Sequence, residues 1–128
     1  MRTIEKQIIN YLRNSDFLSD SENYAKSRSF TIRDSVRLEK TRKRVYLWCH
    51  CIFTLDKENN IKFSFQGYQT NTTKGRISAL ISAFYSCFAG IRQKNYQLIF
   101  YSSSGEFPIA SDKIYTIKNG KPEEVESI

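Results

Sequence analysis

"FSFQGYQTNTTKGRISALISAFYSCF", residues 63–88, changes its period halfway. Phe63 and Phe65 alternate with Ser64 and Gln66, the two-residue period of a half-buried strand. Beyond the threonines, Ile77, Leu80, Ile81, Phe84 and Phe88 recur at i, i+3, i+4, i+7 and i+11. That spacing makes one apolar helical stripe. It predicts a helix over 74–89, with Thr72 or Thr73 as N-cap and Gly90 as a left-handed stop.

Upstream, "RVYLWCHCIFTL" (44–55) reads as one strand. Val45, Leu47, Cys49, Cys51, Phe53 and Leu55 lie on one face, and Tyr46, Trp48, His50, Ile52 and Thr54 on the other. "DKENN" (56–60) is a hairpin loop. Closed symmetrically, it pairs Leu55 with Ile61, Phe53 with Phe63, Cys51 with Phe65, His50 with Gln66 and Trp48 with Tyr68. A strand over 30–39, broken in pattern only by Asp34, would fold back through a turn near 40–43. "NYQLIFYSS" (95–103) and "KIYTI" (113–117) are further strands, the second ended by Asn119-Gly120. At the other end, Ile4, Ile8, Tyr11 and Leu12 mark an amphipathic helix over 3–14, with Thr3 as its N-cap.

The order is therefore α-β-β-β-α-β-β, a single α+β domain over 1–128 with helices packed on a mostly antiparallel sheet. Residues 1–15 hold the N-terminal helix, 16–29 a loop, 30–118 the sheet and main helix, and 119–128 a tail. A chain of 128 residues can bury a core without disulfides or metal. No apolar run is long enough for a membrane span. Glu5 and Lys6 fall where the apolar part of a secretory leader would lie, so none is expected. Cys49, Cys51 and Cys87 then read as reduced thiols in the cytoplasm of a host cell.

The run "GYQTNTTKGRISAL" (67–80) followed by "AGIRQKNYQLIFY" (89–101) resembles a pattern in small uncharacterised phage and mobile-element proteins. In these a strand passes through a Thr-x-Thr-Thr corner and a basic residue into a helix. The resemblance covers 65–102 and implies a phage or mobile-element origin. It implies no active site. The α-β-β-β-α order is also that of double-stranded-RNA-binding domains, an analogy of fold alone.

Charge points to a partner. Net charge is +7, and residues 26–44 hold eight basic side chains against two acidic ones, +6 of that total. The candidate contacts are Arg28, Arg33, Arg37, Lys40, Arg42, Lys43 and Arg44, joined by Lys74 and Arg76 at the start of the main helix. Such a block suits a polyanion or an acidic protein, and equally a solvated face. Two cations in the first helical turn oppose the helix dipole, a conflict that a bound phosphate would relieve. The corner is also fully explained as a strand end plus a helix cap. Tyr46, Trp48, His50 and Tyr68 share the even face with Lys62 and Gln66, a possible stacking platform for bases. The N-terminal helix could instead cover that face.

Chemistry of other kinds finds no support in the sequence. "WCHC" (48–51) puts its cysteines on one face and its histidine on the other, so neither a zinc site nor a Cys–His pair is expected. The three cysteines are read as small buried hydrophobes. The acids are scattered, and no cofactor or catalytic residue is assigned. Two functions remain: a small non-enzymatic binder of RNA or DNA, or a phage-type inhibitor or adaptor docking on a host protein such as a defence nuclease.

Overall fold

The computed structural model describes residues 1–19 and 26–128. Two helices, α1 (Thr3–Asn14) and α2 (Asn71–Phe84), accompany ten strands. β1 (Lys26–Ser29), β2 (Asp34–Leu38), β3 (Arg42–Leu47), β4 (His50–Asp56) and β5 (Ile61–Ser64) precede α2. β6 (Gly90–Lys94), β7 (Gln97–Ser102), β8 (Gly105–Ile109), β9 (Ile114–Lys118) and β10 (Lys121–Val125) follow it. The strands form a seven-stranded antiparallel sheet, β1-β2-β3-β4-β5-β9-β10, and a three-stranded one, β6-β7-β8. The class is α+β, as expected, with more strands than the sequence reading counted.

Several of the extra strands come from tight two-residue turns. The expected strand over 44–55 is two strands, joined at Trp48-Cys49 with φ of 52° and 65°. Both central residues are left-handed, as a two-residue hairpin turn demands, but neither is Gly or Asn. Asn95-Tyr96 makes the same turn between β6 and β7, with φ of 51° and 66°. Asn119-Gly120 does not end the sheet but turns β9 into β10, within the expected tail. The expected loop over 16–29 ends in β1, and its residues 20–25 lie outside the described residues.

The β4–β5 hairpin closes as its apolar face dictates, with Leu55 opposite Ile61 and Phe53 opposite Phe63. Ladder pairing stops there. The expected pairs Cys51–Phe65, His50–Gln66 and Trp48–Tyr68 do not form in the ladder; instead Gln66 Nε2 donates to the Cys51 carbonyl at 2.8 Å, and the His50 and Tyr68 rings lie 4.8 Å apart. A bulge between Val45 and Tyr46 shifts the β3–β4 register and brings Tyr46 opposite Cys51.

α2 starts earlier than its apolar stripe. Thr70 is the N-cap, its Oγ1 accepting from the Thr73 amide at 3.1 Å. The helix also stops earlier. Ile77, Leu80 and Ile81 are buried, but Phe88 lies beyond the end and is 75% exposed. Gly90 is not a cap: it opens β6 where Ser78 Oγ and the Tyr101 hydroxyl would stand 2.6 and 2.7 Å from any added Cβ. α1 is entered at Arg2, whose amide donates to Glu5 Oε1 at 3.1 Å. It buries Ile8, Ile9 and Leu12 beside α2, where Arg13 donates to the Ala83 carbonyl at 3.3 Å. Lys43 of β3 donates to the Leu12 carbonyl at 2.6 Å and to that of Ser15. α1 therefore lies over the odd, buried face of β3, together with the core.

Candidate nucleic-acid interface

Strand register sorts the basic side chains. Cross-strand neighbours run Ser27, Arg37, Arg44, Thr54, Lys62, Thr116 and Glu123, one row across the seven-stranded sheet. Its counterpart on the opposite face runs Val36, Val45, Phe53, Phe63 and Tyr115, the core row under the helices. Arg37, Arg44 and Lys62 thus stand on the helix-free face. Arg42 and Tyr46 join them by alternation along β3. The Arg37 guanidinium lies over the Tyr46 ring at 5.6 Å. Glu39 Oε1 accepts from Arg42 Nε at 2.9 Å and Arg44 Nε at 3.0 Å. Burial alone would lower the Arg44 pKa, but the Glu39 hydrogen bond and charge raise it above its ordinary value. The backbone carbonyls of Ile128 and Ser127 rest against the same face, accepting from Arg42 Nη1 at 2.6 Å and Lys62 Nζ at 3.2 Å.

At the end of the sheet a cleft of about 490 Å³ opens between the β3–β4 turn, the start of α2 and the turn before β2. Leu47, Ile52 and Phe65 line it on the apolar side, with Trp48, His50, Tyr68 and Arg33 among its other walls. Trp48 is 57% exposed and Tyr68 52%. The Trp48 amide donates to the Arg33 carbonyl at 2.8 Å, which fixes the two turns to each other.

The other expected contacts lie elsewhere. Arg28 is on the helix side, its guanidinium 5.0 Å from the Tyr11 ring centroid and 5.3 Å from that of Phe30. Lys40 sits half-buried in the β2–β3 turn, and Lys74 half-buried in α2, past its first three residues. Two expectations are corrected. Lys43 is buried and holds the carbonyls at the end of α1; burial lowers its pKa, partly offset by Asp16. Arg76 is 1% exposed. Its Nε donates to Asp34 Oδ1 at 2.8 Å, its Nη2 to Asp34 Oδ2 at 3.3 Å and its Nη1 to Glu5 Oε2 at 3.0 Å. It therefore joins β2, α1 and α2 from inside and offers nothing to a phosphate. Thr73, Arg76, Leu80 and Phe84 share the stripe spacing, a signal in the sequence that this arginine points inward. Asp34, read as a flaw in its strand, is the partner that this signal requires. Of the cysteines only Cys51 is buried; Cys49 and Cys87 are exposed. Among the described residues no His, Cys, Asp or Glu group could hold a metal. No described helix is long and apolar enough to cross a membrane.

Burial pushes the Asp34 carboxyl up, but hydrogen bonds from Arg76 and Thr31 and the charges of Arg76 and Arg33 outweigh it and hold its pKa below the ordinary value. The carboxylate therefore contributes stability above its unfolded pKa of about 3.9, and that contribution is lost as pH falls through the depressed folded value. Denaturant midpoints are expected to hold steady from about pH 7 to 5 as far as this group is concerned, and to fall below about pH 4. In Asp34→Asn the Asp34 part of that acid slope should disappear; an unchanged acid limb would remove this carboxylate from the account.

No curated protein and no solved structure matches the chain. The family described as Kyanoviridae Gp96 protein matches residues 1–115, nine-tenths of the 128. Of the phage or mobile-element origin implied by the resemblance over 65–102, the match supports the phage one, and it extends well beyond that segment. The chain belongs to the Kyanoviridae Gp96 family of phage proteins.

Proposed function

We propose that this phage protein binds single-stranded nucleic acid, without catalysis or cofactor, in the cytoplasm of the infected cell. One observation carries the reading: Arg37, Arg44 and Lys62 form a row across a sheet face that neither described helix covers, with Tyr46 beside them. Cations at strand spacing can follow a phosphate backbone, and an aromatic ring among them offers a face to a base. The exposure of Trp48 supports the same reading, since a docking role for the basic edge alone would leave that ring without a purpose.

The test is the salt dependence of binding to single-stranded RNA and DNA. Four or five phosphate contacts from Arg33, Arg37, Arg42, Arg44 and Lys62 predict a log–log slope of about −2.8 to −3.5. Arg37→Gln and Lys62→Gln together should flatten it by about 1.4, at roughly 0.7 per contact on a single strand. Arg28→Gln, on the opposite face, should leave it unchanged. Absence of binding to single-stranded RNA, single-stranded DNA and duplex DNA at about 50 mM salt, where non-specific electrostatics are strong, would end this reading. The basic face would then be assigned to an acidic host protein.

A further inference from the structure

The cleft beside the sheet is not needed to bind phosphates, and its walls have a different character. Leu47, Ile52 and Phe65 give it apolar lining, while Trp48 and Tyr68 hold their rings more than half exposed at its edge. His50 stands with Tyr68, ring centroids 4.8 Å apart. The only tryptophan of the chain sits in a left-handed conformation, φ 52°, followed by Cys49 at 65°. A bulky residue there is conformationally unfavourable, and such positions persist where surrounding contacts impose them. Here the bond from the Trp48 amide to the Arg33 carbonyl fixes the turn. An arrangement selected for stability alone would place Asn or Gly in this turn and bury the indole.

We infer that this cleft is a nucleobase pocket: it takes one unstacked base of the bound strand against Trp48 and Tyr68, with Arg33 on the adjoining phosphate. The inference rests on the proposed binding of single-stranded nucleic acid and assigns that activity a specific subsite. The volume, about 490 Å³, lies in the range of small-ligand sites. Charge is complementary, because Arg33 lines a cleft in which, among the described residues, no acidic side chain takes part. The cleft lies at the end of the cationic row. Along β3 the helix-free face presents Arg44, then Tyr46, and β3 ends at Leu47, one residue before Trp48 in the turn at the cleft. A strand following the cationic row reaches the cleft by running along β3. Sequence-tolerant capture follows, since every base has a face to stack.

Because Trp48 is the only tryptophan, its fluorescence reports on this cleft alone. The probe is a single-stranded oligothymidylate, compared with the same oligomer carrying abasic sites, which keeps every phosphate. The intact oligomer should quench the emission, and the abasic one should bind about 5- to 150-fold more weakly, the range for one base–aromatic stack. Trp48→Asn, which tolerates the left-handed turn, should weaken the intact oligomer by a similar factor, with the salt slope kept, and should narrow the difference between the two oligomers to what stacking on Tyr46 contributes. Salt-dependent binding with unchanged emission would overturn the pocket while leaving the cationic face intact, whatever stacking on Tyr46 adds to the intact oligomer. No binding of either oligomer would overturn both. The wild-type measurements decide the matter even should the variant fail to fold.

Discussion

Arg76→Met is expected to lower the free energy of unfolding by about 3–5 kcal/mol, the usual cost of removing one partner from a buried ion pair. The guanidinium is enclosed and fully engaged, three of its nitrogens donating to two carboxylates at 2.8 to 3.3 Å. Those carboxylates are themselves fixed. Glu5 accepts from the Arg2 amide at the start of α1, and Asp34 accepts from the Thr31 hydroxyl at 2.7 Å. Methionine matches much of the side-chain length but leaves two buried anions unpaired, and that loss, more than the missing attraction, sets the size of the effect. The corresponding control replaces all three ionic groups by apolar residues of similar volume. It should recover most of the loss, because the three charges were desolvated in the folded state at nearly the cost of their mutual attraction. Urea unfolding of the two variants reads both outcomes. A wild-type midpoint for Arg76→Met would mean that the triad contributes nothing to stability.

That arginine also marks where the sequence was legible and where it was not. Local patterns were readable because they depend on near neighbours. The period of 77–84 and the alternation of 53–55 with 61–63 each identify one buried face, and the loop at 56–60 has enough polar residues to fix the register. Asp56 holds that loop, its Oδ1 accepting from the amides of Glu58 and Asn60. Residue type alone places Arg76 on the surface, whereas its place on the stripe puts it inside; spacing is the better guide. Lys43 followed the same rule, lying on the odd face with Val45 and Leu47.

The turns failed for another reason. A two-residue hairpin at Trp48-Cys49 carries no composition signal, and its left-handed backbone depends on a bond to Arg33, fifteen residues earlier in the chain. The cleft was hidden with it, because its walls meet only when that turn, the start of α2 and the turn before β2 are brought together. What survived of the expected platform is the residue set Trp48, His50 and Tyr68, placed around a cleft and not on a flat face. The β5–β9 pairing, Phe63 opposite Tyr115, joins residues about fifty positions apart and left no local trace.

Phe63→Ala is expected to cost about 3–5 kcal/mol, the range for a fully buried phenylalanine. The side chain is completely enclosed. In β5 it is paired on one side with Phe53 and on the other with Tyr115, whose ring is 5.7 Å away. Its ring also stacks on Phe100 of β7 at 6.1 Å. It therefore connects the seven-stranded sheet to the three-stranded one, in addition to filling volume. Truncation leaves a cavity at that junction, and the aromatic neighbours can close it only by moving the two sheets relative to each other. Amide exchange should consequently quicken most in β7, which carries Phe100, less in β6, which α2 also holds through Ser78 Oγ accepting from the Ile91 amide at 3.0 Å, and least in β2, where Val36 lies farthest from Phe63 along the core row. Phe88→Ala gives the contrast: the ring is 75% exposed, and its removal should change stability by less than about 0.5 kcal/mol. Uniform acceleration of exchange throughout the molecule on Phe63→Ala would show the two sheets to be one cooperative unit, and the junction would then have no separate role in holding the smaller sheet.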